Sequence, residues 1–453
     1  MRPKLSGSFL LLFLLLFTQT LHGRTNARIR PEALALKVVS ENSAESAPAI
    51  AELRALGPAG LNVLFQTYAQ EINEQVSKPV LAATPQWQRL SAALDAVSQQ
   101  KDSYLSGLYW YTDFDQAKAA ARATGKPILS LRLLGKLSEE YSCANSRFFR
   151  TILYSNSEVS KMLRERFILH WQSVRPAPRV TIDFGDGRKL ERTLTGNSIH
   201  YILDSNGRVI DALPGLYGPA KFMRSLSRME QVSRHWGQQP PADGSFQPFW
   251  AYHPDSLQKL TVEWLADIES IGGKAPQGFV VTRKDDGSPQ ALEIASLAVT
   301  KSVSEVNILR RMTAGSEALG AITDEAAWNK IASLHIAEAQ LDARSIGLIR
   351  RQTQDAFQAR GVEIPSEKTL ANLVQRLQMN IALDSVRNEY LLHTKLYAWL
   401  VADKNRFDGI DLEALNKRVY AELFLTPASD PWLGLYSPEV YTALEGGGIT
   451  RSK

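Results

Sequence analysis

The sequence predicts a mixed α/β domain, in which helices flank a mixed sheet, between a helical N-terminal segment and an all-helical C-terminal domain. Three observations predict this organisation. Residues 31–106 and 259–425 carry apolar side chains at helical spacing. Residues 107–230 instead alternate helical patterns with short apolar runs bounded by glycine and proline, which is typical of strands and helices packed in layers. Residues 231–258 are dense in proline, glycine and glutamine, as a linker between domains would be.

Residues 1–27 have the pattern of a secretory signal peptide. Two cations, Arg2 and Lys4, precede the unbroken apolar run Phe9–Phe17, and a polar stretch with small residues follows. The run is too short to span a bilayer, which takes roughly 20 apolar residues. The sequence therefore predicts a cleaved leader and a periplasmic or extracellular protein. An uncleaved leader that serves as a membrane anchor is the alternative.

The N-terminal segment, residues 31–106, is rich in alanine, leucine, glutamate and glutamine. Apolar residues recur at helical spacing, and the dipeptide Gly57-Pro58 interrupts them as a turn. The recurring positions are Leu53, Leu56, Leu61, Leu64 and Phe65. No second copy at a fixed period is present, so the pattern predicts a small helical unit rather than a solenoid.

The central region is predicted from capping and turn signals. Its first helix is expected to be capped by Thr112 or Asp113 and to end at Gly125. A second helical stretch is expected to break between Tyr154 and Ser157. The complete order is helix "TDFDQAKAAARATG", strand "KPILSLRLLG", helix "SCANSRFFRTILYSNSEVSKMLRERF", strand "FILHW", hairpin "RVTIDFGDGRKLERTLTG", hairpin "SIHYILDSNGRVIDALPG" and helix "GPAKFMRSLSRM". Beyond the helical residues 259–425, residues 426–453 are predicted to form an extended tail.

Cys143 is the single cysteine of the 453-residue chain, and it lies in the segment "SCANSRFF" at a predicted helix start. The segment "YWYTDFDQAKAAARATGKPILSL" upstream of it resembles the opening of secreted bacterial thioredoxin-like domains. In that family a Cys-x-x-Cys motif follows, and here "CANS" places Cys143 and Ser146 at the two positions. The family's cis-proline corresponds to Ser198 in "GNSIHYILDSNG". The resemblance covers about 120 residues and implies a thioredoxin-like fold without the dithiol pair.

The residues around Cys143 allow two interpretations. A helix N-terminus favours a thiolate, which Arg147 and a hydrogen bond from Ser146 would stabilise further. Such a monothiol can form a mixed disulfide, but only an external thiol can release it. A free cysteine is, however, also among the most buried residue types and packs as a small apolar side chain. Two histidines, His170 and His200, could approach the thiol if the thioredoxin order holds.

The sequence predicts a binding or scaffold protein as the first function and a monothiol oxidoreductase, with Cys143 as the nucleophile, as the alternative. The expected catalytic residues of the alternative are Cys143, Ser146, Arg147 and Ser198. Partners are expected to be protein thiols or another protein docking on the helical C-terminal domain. The formal charge of +5 from 52 cations and 47 anions is too small to suggest a nucleic-acid partner. No pattern indicates a cofactor, a metal ion or a membrane span beyond the leader.

Overall fold

The computed structural model describes residues 30–77, 83–193, 196–238, 249–276, 324–403 and 409–432. The predicted leader lies outside these residues, and so does the predicted tail beyond residue 432. No helix in the described ranges combines the length and hydropathy needed to cross a membrane.

The N-terminal segment is helical, as predicted. Its helices are α1 (Pro31–Lys37), α2 (Ser43–Ala55), α3 (Pro58–Thr67), α4 (Ala69–Ser77) and α5 (Pro85–Ser98). Gly57, with φ of +70°, forms the turn that starts α3. The predicted apolar positions Leu53, Leu61 and Leu64 are buried in a cluster of their own, whereas Leu56 is exposed.

The central region is a mixed α/β structure with a five-stranded mixed sheet. Its strands are β1 (Trp110–Tyr111), β2 (Ile128–Leu134), β3 (Ile168–Arg175), β6 (Ser198–Leu203) and β7 (Val209–Pro214), and a separate hairpin is formed by β4 (Arg179–Asp183) and β5 (Lys189–Thr193). The sheet order is β1-β3-β2-β6-β7. The first three strands run parallel, and β6 pairs antiparallel with both β2 and β7. Both predicted hairpins are present.

Four helices belong to this region, namely α6 (Phe114–Thr124), α7 (Ala144–Phe148), α8 (Ser157–Arg166) and α9 (Pro219–Gln238). The Asp113 side chain caps α6 by accepting a hydrogen bond from the Gln116 amide, and Gly125 ends the helix with φ of +69°. A π-helical segment, Phe149–Tyr154, continues α7. The predicted break follows it, and Asn156 caps α8.

The described C-terminal residues are helical. Their helices are α10 (Phe249–Ser270), α11 (Glu325–Leu334), α12 (Ala343–Gln358), α13 (Glu367–Arg387), α14 (Thr394–Ala402) and α15 (Leu412–Arg418), with π-helical segments at Asn388–His393 and Val419–Leu423. Helices α9 and α10 occupy both ends of the range predicted as a linker, and residues 239–248 between them are not described. Pro254 lies inside α10, at its sixth residue, where its ring nitrogen cannot donate an i→i−4 hydrogen bond.

Strand β2 lies in the middle of the sheet, and all seven of its residues are buried. One apolar cluster joins this strand to the C-terminal helices, because it contains Leu131 of β2 and Leu213 of β7 together with Trp328, Ile381 and Val419. The N-terminal helices form the second cluster, to which α12 contributes Leu348. Residues of the C-terminal helices therefore share their core with the sheet.

Candidate functional site

Cys143 lies at the carboxyl end of β2 and is the N-cap residue of α7. Its amide donates a hydrogen bond to the Leu134 carbonyl at 2.9 Å, so the loop between strand and helix folds back on itself. Gly135 permits this return, since its φ is +75° and an added Cβ would stand 3.0 Å from the Ser142 Cα atom. Ser198 begins β6 and pairs with Leu133 near the carboxyl end of β2, so it lies at the same end of these strands as Cys143.

The sulfur of Cys143 is fully enclosed, with an exposed fraction of 0%. Its Sγ atom lies 2.9 Å from the Ser198 hydroxyl oxygen, 3.5 Å from the Ser146 hydroxyl oxygen and 3.9 Å from the Asn197 carbonyl oxygen. The Ser146 hydroxyl donates to the Cys143 carbonyl at 2.8 Å. Ser146 therefore accepts from the sulfur, and this arrangement suits a protonated thiol.

The two arginines of this segment hydrogen-bond groups other than the sulfur. Arg147 donates a hydrogen bond to the Thr193 hydroxyl of β5 at 2.8 Å. Arg150 donates to the carbonyls of Glu139 and Glu140 in the preceding loop, at 3.1 and 3.4 Å. Burial lowers the pKa of Arg147, a negative charge on Cys143 would raise it, and the charge of Arg150 lowers it further. Arg147 thus joins α7 to the β4–β5 hairpin.

Residues near the C-terminal end of the described chain contact Asn197, whose carbonyl oxygen lies 3.9 Å from the sulfur. The Tyr420 hydroxyl donates to the Asn197 carbonyl at 3.1 Å, and the Asn197 side-chain amide donates to the Thr426 hydroxyl at 3.1 Å. The Thr426 amide donates to the Tyr420 carbonyl at 2.7 Å. Burial raises the pKa of Tyr420 well above its ordinary value, and a negative charge on Cys143 would raise it further. The segment 419–426 therefore forms one wall of the thiol site.

The structure brings together three of the four residues predicted for the site, namely Cys143, Ser146 and Ser198, while Arg147 lies beside them with its guanidinium on Thr193. Neither candidate histidine hydrogen-bonds the sulfur. His170 pairs with the Ser130 hydroxyl at 2.8 Å. His200 pairs with the Tyr154 hydroxyl at 2.7 Å. Burial lowers the pKa of both histidines to about 3, so both are neutral near pH 7.

A cluster of polar side chains is buried between β7 and the C-terminal helices. It was not predicted from the sequence. Asp211 of β7 accepts hydrogen bonds from the hydroxyls of Tyr252 and Tyr397 at 2.5 and 2.8 Å, and its carboxylate lies 3.1 Å from His393 Nε2. The other ring nitrogen of His393 lies 3.3 Å from Glu389. The sequence signal that could have found this cluster is the acidic residue inside the otherwise apolar strand "VIDALP".

The charges of this cluster are matched. Burial opposes protonation of His393, but Asp211 and Glu389 together outweigh it and raise the pKa of the imidazole to about 9. Burial likewise disfavours the Glu389 carboxylate, yet His393 and Lys221 lower its pKa to about 2. Lys221 lies 3.1 Å from Glu389. The ionised cluster therefore fastens α9, α14 and the segment Asn388–His393 to the sheet.

Fold and site define a mixed α/β protein with an enclosed single thiol at the carboxyl end of the central strand β2. No protein-family model, curated protein or solved structure matches the chain.

Proposed function

We propose that this chain is a thioredoxin-like protein that acts by binding and uses its fold as a scaffold. The order of elements supports the resemblance: α6, β2, α7, β3, the β6–β7 hairpin and α9 follow the helix-strand-helix-strand-hairpin-helix order of that family. Cys143 begins a helix beside β2, and Ser198, at the family's cis-proline position, adjoins its sulfur. We also propose a periplasmic or extracellular location, which N-terminal sequencing of the mature protein would test.

The enclosure of Cys143 carries the binding proposal. Attack on a disulfide requires the sulfur to reach another sulfur atom along an open path. Here both serine hydroxyls and the Asn197 carbonyl surround Sγ, and no part of the residue is exposed. The second cysteine of a dithiol site is absent from the sequence. A packing role for Cys143 is compatible with this arrangement, whereas a redox role requires the surrounding residues to move so that another sulfur atom can reach Sγ.

The alternative, a monothiol oxidoreductase, is favoured by the position of Cys143 at a helix N-terminus and by the Ser198 hydroxyl at 2.9 Å. In that reaction the thiolate attacks a disulfide, one new S–S bond forms, and the displaced thiolate leaves. An external thiol then attacks the mixed disulfide and regenerates Cys143. Access would require the segment 419–426 to move away from Asn197.

Mass spectrometry of the intact, full-length protein distinguishes the two functions. The folded protein is incubated with oxidised glutathione, and separately with iodoacetamide, and the same reactions are run in guanidinium chloride. We expect adducts to form far more slowly on the folded protein than on the unfolded one. Cys143→Ser is a complete control because the chain has no other thiol. A glutathione adduct that forms on the folded protein as fast as on the unfolded one would overturn the scaffold proposal in favour of thiol transfer.

A further inference from the structure

A cleft of about 550 Å³ lies between the N-terminal helices and the mixed sheet. Residues of α3, α4, α6, α8 and β3 line it, and Arg344 of α12 stands at its border. Its volume lies within the range of about 300–1,000 Å³ that is usual for small-molecule sites. The cleft does not include Cys143 or the segment that covers it.

More than half of the surface of the cleft is apolar, and Asn62, Asn73 and Thr124 are among the polar residues that line it. Side chains from both sides contribute, and the apolar ones include Leu61, Phe65, Ile72, Leu163 and Leu169. Gly107, with φ of +60°, also lines the cleft. A Cβ atom added there would stand 3.6 Å from the ring of Phe65 and 3.8 Å from the Arg164 side chain. An apolar surface and a cation are therefore adjacent at this point.

Three cations, Lys126, Arg164 and Arg344, line the cleft, and no aspartate or glutamate is among the described residues that line it. Within the described part of the chain, none of the three forms an ion pair with a carboxylate. Partial burial lowers the pKa of Arg164, and the charge of Arg344 lowers it further. The two guanidinium groups hydrogen-bond the carbonyls of consecutive residues, Leu105 and Ser106, and therefore lie close to each other.

Each cation contacts one backbone carbonyl. Lys126 donates to the Arg164 carbonyl at 3.3 Å, Arg344 donates to that of Leu105 at 3.4 Å, and Arg164 donates to that of Ser106. A guanidinium group has five N–H donors, so most of the donors of both arginines remain available. An anion between them would relieve the repulsion and accept charge-assisted hydrogen bonds.

We infer that this cleft binds a fatty carboxylate, with its hydrocarbon chain against the apolar walls and its carboxylate between Arg164 and Arg344. The cations bind the carboxylate of the ligand, and the apolar walls contact its hydrocarbon chain. This inference rests on the proposed binding function and names its ligand class.

Isothermal titration of the full-length protein with decanoate, below the concentration at which micelles form, tests the inference. We expect saturable binding of one decanoate per chain, and weaker binding of both 1-decanol and acetate, because each lacks one half of the recognised chemistry. Arg164→Gln/Arg344→Gln should weaken decanoate binding by about ten-fold or more. The charge-matched control, Arg122→Gln/Arg166→Gln, removes two cations that do not line the cleft and should leave the affinity unchanged.

A second variant, Ala120→Leu, fills the cleft from α6 without changing charge and should also weaken decanoate binding. The inference is overturned if decanoate fails to saturate the wild type, if 1-decanol binds as tightly, or if the charge-matched control loses as much affinity as the cleft variant. These outcomes leave the result of the thiol labelling intact. Failure of the ligand class and failure of the scaffold proposal are therefore separate observations.

Discussion

Replacing His393 by glutamine should remove a pH dependence of stability that the wild-type protein has. The imidazole is fully buried, and its pKa in the folded protein is about 9, compared with 6.5 as the ordinary value. A folded pKa above the unfolded one means that the folded state holds the proton more tightly. The stabilisation is complete below pH 6.5 and disappears as the pH rises through about 9.

The size of the effect follows from the two pKa values. The difference between 9 and 6.5 corresponds to about 3 kcal/mol, at about 1.36 kcal/mol for each pH unit. Because the side chains of His393 and Asp211 are both wholly buried, solvent does not screen their interaction appreciably. The free energy of unfolding of the wild type should therefore fall by about 3 kcal/mol between pH 6.5 and pH 9 through this residue.

Guanidinium titrations followed by tryptophan fluorescence, at a series of pH values from 6 to about 9.5, measure this dependence. The exposed His235 supplies a matched control, His235→Gln, which should keep the wild-type profile. Loss of one partner of a buried ion pair can cost about 3–5 kcal/mol. If His393→Gln does not fold, the pKa of His393 can be measured by NMR in the wild type. Parallel stability profiles for wild type and His393→Gln, or a measured pKa near 6.5, would contradict this prediction.

Three further predictions concern the thiol site and its surroundings. Tyr420→Phe removes the hydrogen bond to the Asn197 carbonyl and should speed alkylation of Cys143 in the folded protein by about five-fold, which corresponds to about 1 kcal/mol. Unchanged labelling would show that this hydrogen bond does not hold the segment 419–426 in place. Gly135→Ala should destabilise the protein by about 1–3 kcal/mol more than Gly125→Ala, because both glycines have positive φ but only Gly135 has neighbours within 4 Å; equal losses in thermal unfolding would contradict this. The pKa of His200 in the folded protein is about 3, so its contribution to the free energy of unfolding is present above pH 6.5 and is lost as the pH falls towards 3. His200→Gln should therefore weaken the fall in stability at acid pH. The same fall in the variant and the wild type would contradict this prediction.

Local structure was largely predictable from the sequence. The cap of α6 at Asp113, its end at Gly125, the apolar strand β2 and the two hairpins all follow from residues within a few positions of one another. Such signals act through backbone geometry and short-range hydrogen bonds, which do not depend on the rest of the chain. The adjacency of Cys143 and Ser198 also followed, but from the resemblance to thioredoxin-like domains rather than from periodicity.

Contacts between distant residues decided the remainder. Asp211 and His393 are separated by 182 positions, and Tyr420 and Asn197 by 223. No periodic pattern encodes such a pair, because hydrophobic spacing specifies only which face of a helix or strand is buried, not what covers it. The sequence alone therefore determined the helices, the strands and the presence of one thiol. Long-range packing places the C-terminal helices on the core of the sheet and beside the thiol, and it pairs Asp211 with His393, because burying a carboxylate costs free energy unless a partner compensates its charge.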